Sequence, residues 1–202
     1  MEVRNTISRD LHDEVGSTLS SIGFLSSMAL NDADDHNGKI LSTLNNINES
    51  STRMLDVMND IIWNIQPKND TVQNIIARMV SFASDILEAK KINLHINIAE
   101  NITHLHLGLT ERHNFYMIYK EAINNLAKYS SATEAWVSLE YRQPYLFLEI
   151  KDNGKGFDPT HAREGGNGLR NMKARAEKIG AIYDLETVMN KGTTITVQLK
   201  PV

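Results

Sequence analysis

Ile40, Leu44, Ile47, Met54, Met58, Ile61 and Ile65 recur in alternating steps of four and three residues, with Ser51 the polar exception in the row. On an α-helix such positions form one stripe, and this heptad spacing is that of a coiled-coil or bundle seam. A comparable stripe runs through Ile7, Leu11, Val15, Ile22 and Leu25, so the chain opens on two helices. Asn31-Asp-Ala-Asp-Asp-His-Asn-Gly38 between them is turn chemistry with acidic character. Two helices cannot surround their own apolar stripes, which makes a dimeric four-helix bundle the natural solution. Pro67, followed by Lys68-Asn69-Asp70, ends the hairpin.

From Thr71 the pattern becomes mixed. Val72 to Lys90 reads as a helix with Thr71 or Asp70 as its N-cap. Asn93 to Ile98 alternates as a half-buried strand does, and a helix from about Thr110 to Tyr129 follows. Glu134 to Tyr141 and Tyr145 to Lys151 form a hairpin across Arg142-Gln143-Pro144. Leu169 to Ile179 is a helix closed by Gly180, and Ala181 to Val188 with Thr193 to Leu199 makes a last strand pair. The expectation is an α+β chain. Residues 1–67 form a helical dimerisation hairpin and residues 71–202 an α/β sandwich.

The net charge of -4 leaves no electrostatic footprint for nucleic acid. Without Cys, disulfides and thiolate metal sites are excluded, and a cytoplasmic compartment is permitted. No apolar run reaches the roughly 18–20 residues of a membrane span. The chain starts inside a helical pattern, so a sensor or membrane anchor is expected upstream.

Asp152-Asn-Gly-Lys-Gly156-Phe157, and later Gly165-Gly166-Asn167-Gly168-Leu169, lie between a strand and a helix. A carboxylate at a strand end, followed by glycines that let the backbone come close, suits a buried polar ring and a phosphate tail. Alone, Asp-Asn-Gly also writes an ordinary turn. Upstream, Glu121, Asn125 and Lys128 put a carboxylate, a carboxamide and an ammonium on one helix, as a magnesium–triphosphate requires. Together these segments read as one ATP site. In the first helix, Leu11 and Val15 hold the buried stripe, so His12 and Asp13 project to the edge or solvent side. Asp13 could accept one ring proton of His12, leaving the other nitrogen free to attack a phosphoryl group. A solvated surface histidine is the plainer reading of His12 alone.

The ordered set of Leu11-His12-Asp13, Glu121-x-x-x-Asn125-x-x-Lys128, Asp152-x-Gly154-x-Gly156, Gly166-Asn-Gly168-Leu169-x-x-Met172 and Gly192-Thr193 resembles a two-component sensor histidine kinase. The subfamily is the one whose dimerisation helix carries Leu-His-Asp. The likeness runs from Ile7 to Leu199, and its second part resembles the Bergerat fold shared with MutL and DNA gyrase. The resemblance implies a mixed sheet with helices on one face and ATP on the helical side. It implies His12 as phosphoacceptor, Asp13 as its adjacent base, and Glu121 assisting proton transfer or positioning water. Asn125 would coordinate Mg2+, Lys128 approach the phosphates, and Asp152 bind the adenine amino group. Gly154 and Gly156 would pass close to the nucleotide. Phe157 to Asn167 would form an ATP lid, with Gly166 and Gly168 as its phosphate-side hinge beside Leu169, and Thr193 would help bind adenine through water. The implied partners are a second copy of the chain and the receiver domain of a response regulator.

Two departures stand out. Relatives commonly follow the Asn helix with Lys-His, whereas here Lys128 precedes Tyr129, which cannot carry imidazolium charge. Many relatives place Gln four residues after the Asp of His-Asp to orient the water that dephosphorylates the regulator; here that residue is Ser17. Two rival readings are a dimeric Bergerat ATPase working as a clamp and a nucleotide-sensing scaffold without kinase activity. His104 and His106 alternate like a metal pair, but no Cys or carboxylate-rich cluster supports a site there.

Overall fold

The computed structural model describes residues 15, 18, 21, 22, 24, 25, 28, 42–44, 46, 47, 49–51, 54, 57, 58, 60 and 63, together with 71–102, 105–158 and 167–201. The chain divides into two compact units, Met1–Pro67 and Lys68–Val202. In the first unit the described residues are helical. Thr43 and Ser50, one heptad apart, are each only 5% exposed, whereas Leu44 and Met58 of the apolar stripe are 50% and 37% exposed. The most buried row of this second helix is therefore offset from the stripe. Small polar residues line the buried side, and part of the apolar seam stays open. Ile40, Ile61, Ile65, Ile7 and Leu11 lie outside the described residues.

The second unit is a five-stranded sheet covered on one face by helices. Strands β1 (Asn93–Ile98), β2 (Glu134–Arg142), β3 (Tyr145–Asp152), β4 (Ile182–Val188) and β5 (Gly192–Leu199) lie in the order β1-β2-β3-β5-β4. β1 runs parallel to β2, and the other pairs are antiparallel. Helices α1 (Val72–Ala89), α2 (Leu109–Tyr129) and α3 (Asn167–Lys178) lie against β1, β3 and β4 respectively.

Each helix forms for a local reason and stays for a tertiary one. The Thr71 hydroxyl caps α1 by accepting from the Asn74 amide at 3.3 Å, which selects Thr71 over Asp70. Val72, Ile75, Met79, Ala83 and Leu87 then recur at three- and four-residue steps and are buried. Each large apolar side chain buried this way contributes about 1.5–3 kcal/mol. α3 ends where Gly180 takes a φ of +64° and the Ala181 amide reaches back to the Ala176 carbonyl at 2.9 Å.

Period-two alternation turns Leu146, Leu148 and Ile150 of β3, and Ile195, Val197 and Leu199 of β5, into the core beneath these helices. The opposite sheet face is mixed. There His95 stacks on Trp136 with ring centroids 5.5 Å apart, and Lys151 approaches the same indole.

Candidate functional site

The buried row of β3 does not stop at Ile150. Its next inward position is Asp152, so the alternation that builds the core also drives a carboxylate into it, where it is 5% exposed. Lys151 pairs with Thr194 and Thr187 with Thr193, so the inward rows of β3, β5 and β4 end side by side in Asp152, Thr193 and Thr187. Three apolar rows thus share one polar terminus. Burial pushes the Asp152 carboxyl above its ordinary value, opposed by hydrogen bonds from the Gly154 and Thr193 amides. The Gly154 bond is 2.7 Å long. Such a carboxylate is a strong acceptor for a donor on a polar ring.

The glycines here are set by close backbone approach. A Cβ at Gly154 would overlap the Ser130 carbonyl, and one at Gly192 the Asp152 carbonyl. Gly156 has a φ of +55°, and a Cβ there would overlap the Val188 carbonyl. The turn is also bolted to its neighbours. The Asn153 carboxamide oxygen accepts from the Thr133 and Glu134 amides at 3.0 Å each, and its nitrogen donates to the Thr133 hydroxyl at 3.0 Å. The Lys155 amide donates to the Ser130 carbonyl at 2.8 Å, and the Asn190 amide to the Lys155 carbonyl at 2.7 Å. Nothing in the one-dimensional pattern announces Asn153 as a fastener, because its partners lie 20 residues away.

On α2, Glu121, Asn125 and Lys128 follow at steps of four and three and lie along one flank, while Ala122, Ile123 and Leu126 are buried. Tyr129 is exposed beyond them. Gly168, in the first turn of α3, faces this flank: a Cβ there would overlap Glu121 Oε1 and lie 3.3 Å from Asn125 Nδ2. The sequence places Gly168 at the phosphate-side hinge of the lid, one residue before the expected start of this helix. It is a helical residue, and its missing side chain lets α3 close on α2. Asn167, expected as the end of the lid, is the first residue of the same helix, with Leu169 two positions on. The contact is keyed a second time where Arg175 Nη1 donates to the Asn114 carboxamide at 3.3 Å, while Asn114 Nδ2 donates to the Thr110 carbonyl at 2.8 Å. Sequence reading missed both Asn114 and Arg175.

Phe157, the expected first lid residue, is tied down. Its amide donates to Thr187 Oγ1 at 3.0 Å. His12, Asp13, Ser17, Gly166 and the remainder of the expected lid between 159 and 166 lie outside the described residues, as does His104. His106 forms an isolated antiparallel bridge with Thr71. Glu121, Asn125 and Gly168 thus gather at the α2–α3 contact, and Asp152, Gly154, Gly156 and Thr193 at the strand ends.

A protein family described as histidine kinase matches residues 3–70, and one described as histidine kinase-, DNA gyrase B-, and HSP90-like ATPase matches residues 110–202. The sensor histidine kinase LiaS of Bacillus subtilis is 25% identical over 98% of this chain and 54% of its own length. YhcY of the same organism, also a sensor histidine kinase, is 26% identical over 97% of this chain and 49% of its own. The sensor protein VraS of Staphylococcus haemolyticus is 40% identical over 42% of this chain and 24% of its own. The chain spans about half the length of LiaS and YhcY. Among solved structures, the Acinetobacter baumannii histidine kinase AdeS superposes with a TM-score of 0.61 at 14% identity, over 94% of this chain and 97% of AdeS. The histidine kinase domain of the Erythrobacter litoralis blue-light activated kinase EL346 gives 0.57 at 13%, over 99% and 94%. These superpositions establish the shared fold: a helical region followed by a mixed-sheet α/β sandwich. With one family on the helical unit and the ATPase family on the sandwich, in that order, the chain belongs to the two-component sensor histidine kinases.

Proposed function

We propose that this chain is an ATP-dependent protein-histidine kinase that autophosphorylates His12 and passes the phosphoryl group to an aspartate on the receiver domain of a response regulator. The observation that carries the proposal is the buried Asp152 carboxylate, at the shared end of three inward rows, with Thr193 and the turn glycines drawn close around it. In this reading Asp152 accepts a hydrogen bond from the adenine amino group, and Thr193 reaches the ring through water. Lys128 approaches the phosphates, and Gly166, Gly168 and Leu169 border them.

Asn125 and Glu121, which meet Gly168 at the α2–α3 contact, offer oxygen donors of the kind magnesium takes. Bound to Asn125 and the triphosphate, Mg2+ would neutralise phosphate charge. Asp13 holds one ring proton of His12, so that the other nitrogen presents its lone pair to the γ-phosphorus. The new P–N bond forms as the bond to the β,γ-bridging oxygen breaks, and ADP leaves with that electron pair. Glu121 assists the proton transfer or orients water nearby.

We also propose a homodimer through residues 1–67, because the helical unit leaves Leu44 and Met58 exposed. Work with ATP and a receiver domain belongs in the cytoplasm. No helix among the described residues is long and apolar enough to cross a membrane.

The test is incubation with γ-labelled ATP and Mg2+, followed by acid and base treatment. Label that is lost in acid, survives base and is absent from His12→Gln is the expected result. Acid-stable label, or label persisting in His12→Gln at wild-type stoichiometry, overturns the assignment. Nucleotide binding without any label would leave the scaffold reading in its place.

A further inference from the structure

We infer that Thr187 is a positioning residue for the nucleobase end of the site, acting through Thr193; the inference rests on the ATP-site reading above. Thr187 closes the inward row of β4 and pairs in register with Thr193. Its hydroxyl lies at a four-way junction. It accepts from the Phe157 amide at 3.0 Å, and it stands 3.3 Å from Thr193 Oγ1, 3.3 Å from the Phe157 carbonyl and 3.4 Å from the Gly192 carbonyl. A hydroxyl has one proton and two lone pairs, so this junction is crowded with partners and leaves little rotational freedom.

Two consequences follow for the groups that meet a nucleotide. Thr193 already donates its amide to the Asp152 carboxylate. With its side-chain oxygen against Thr187, the amide and the hydroxyl of Thr193 are both engaged, which restricts how the hydroxyl can turn. The Phe157 bond fixes the chain as it leaves Gly156, whose position against the Val188 carbonyl keeps the turn pressed on the β4–β5 hairpin. Thr187 itself is a shell behind the base: it sets where Thr193 and the turn stand, and they make the contact.

Thr187→Val keeps the branched shape and the strand preference but removes the hydroxyl. The measurement is the dissociation constant of a non-hydrolysable ATP analogue with Mg2+, alongside KM and kcat for autophosphorylation and the melting temperature. Thr187→Val is expected to raise the dissociation constant and KM about tenfold, equivalent to roughly 1.4 kcal/mol. At saturating ATP, kcat should stay within about twofold of wild type. Thr187→Ser, which restores the hydroxyl, is expected to bind as wild type does. In a Thr193→Val background the Thr187→Val step should shrink to about threefold or less, since much of its route is already removed.

Wild-type affinity in Thr187→Val, while Asp152→Asn loses nucleotide, overturns this inference and leaves the ATP site standing. Equal weakening by Val and Ser, or a full additive step in the Thr193→Val background, also overturns it. If neither Asp152→Asn nor Thr187→Val alters nucleotide affinity, the ATP-site reading fails and takes the inference with it. Should Thr187→Val not fold, the Ser variant and Thr193→Val decide. Loss in Ser, or no loss in Thr193→Val, counts against the role.

Discussion

Gly168 leaves no room beside Glu121: one added carbon at Gly168 would overlap the Glu121 carboxylate oxygen and lie 3.3 Å from the Asn125 carboxamide nitrogen. The obstructing atom is the far end of a flexible side chain, so a Gly168→Ala protein can fold by swinging Glu121 aside. Alanine also gains roughly 1 kcal/mol of helix propensity over glycine. We therefore predict equal or higher melting temperature and an autophosphorylation rate reduced by about ten- to hundredfold, because a displacement of ~1 Å at reacting groups costs that much. Thermal unfolding and label incorporation, measured on the same preparation, check both halves. Wild-type rates would separate Glu121 from the chemistry.

Asp152→Asn should divide function from stability. A charge-assisted bond in a desolvated place is worth about 1.5–3 kcal/mol, so ATP affinity should fall roughly ten- to hundredfold by calorimetry. The fold should not suffer in step. Burial raises the Asp152 carboxyl in the folded state. Between its unfolded and folded values the folded chain holds more proton, so stability falls as pH rises through that window. Above the window the buried charge is a standing cost, which the neutral amide removes. Wild-type protein should therefore lose ATP affinity on acidification at a higher pH than an ordinary carboxylate would allow. The Asn variant should show a flatter profile. Identical acid limbs in the two proteins would remove Asp152 from the base contact.

The exposed seam residues Leu44 and Met58 support a second protomer. Replacing both with Glu should give a monomer by sedimentation at micromolar concentration, with little change in helix content, because neither side chain is buried within its own unit. Nucleotide affinity should be unaffected. A dimer persisting in the double variant would mean that the helices associate along a different face.

Much of the second unit was legible because its core obeys simple periods. Leu146, Leu148 and Ile150 alternate, and Val72, Ile75, Met79 and Ala83 recur at helical spacing. Asp152, Gly154, Gly156 and Thr193 come together in the structure much as their order suggested. Other features had no local signal. Asn153 fastens the turn to residues about 20 positions away, and Thr187 joins its hairpin neighbour Thr193 to Phe157, 30 positions away, a junction that no short window of sequence contains. The resemblance implied a lid hinge at Gly168, and nothing local announces that it sits in the first turn of a helix against Glu121, which is a tertiary contact. In the first unit the stripe Leu44–Met58 was read correctly as apolar. Its burial could not be read, because small polar residues such as Thr43 and Ser50 can equally line the inner contact.

Ser17 lies outside the described residues, yet its chemistry makes a separate prediction. A carboxamide one turn beyond Asp13 can accept from and donate to an attacking water, and serine has a much shorter reach. Wild-type protein should dephosphorylate its regulator weakly. Ser17→Gln should accelerate that decay in the presence of a non-hydrolysable ATP analogue, with autophosphorylation little changed. Rapid decay in wild type, unaltered by the substitution, would show that another group positions the water.

The strand order carries a consequence for how the protein responds to its ligand. β4 reaches the rest of the sheet only through β5, which follows it in sequence but is inserted between it and β3. The β4–β5 hairpin is therefore held to the rest of the sheet along the β3–β5 seam, which ends where Asp152 meets Thr193. A nucleotide held by those two residues would act as a stitch across that seam, stabilising the paired strands by RT ln(1 + [L]/Kd). Amide protons along Ile195 to Leu199 should become slower to exchange when ATP is added, although none of them need touch it. Occupancy would be felt as rigidity at the far end of a strand.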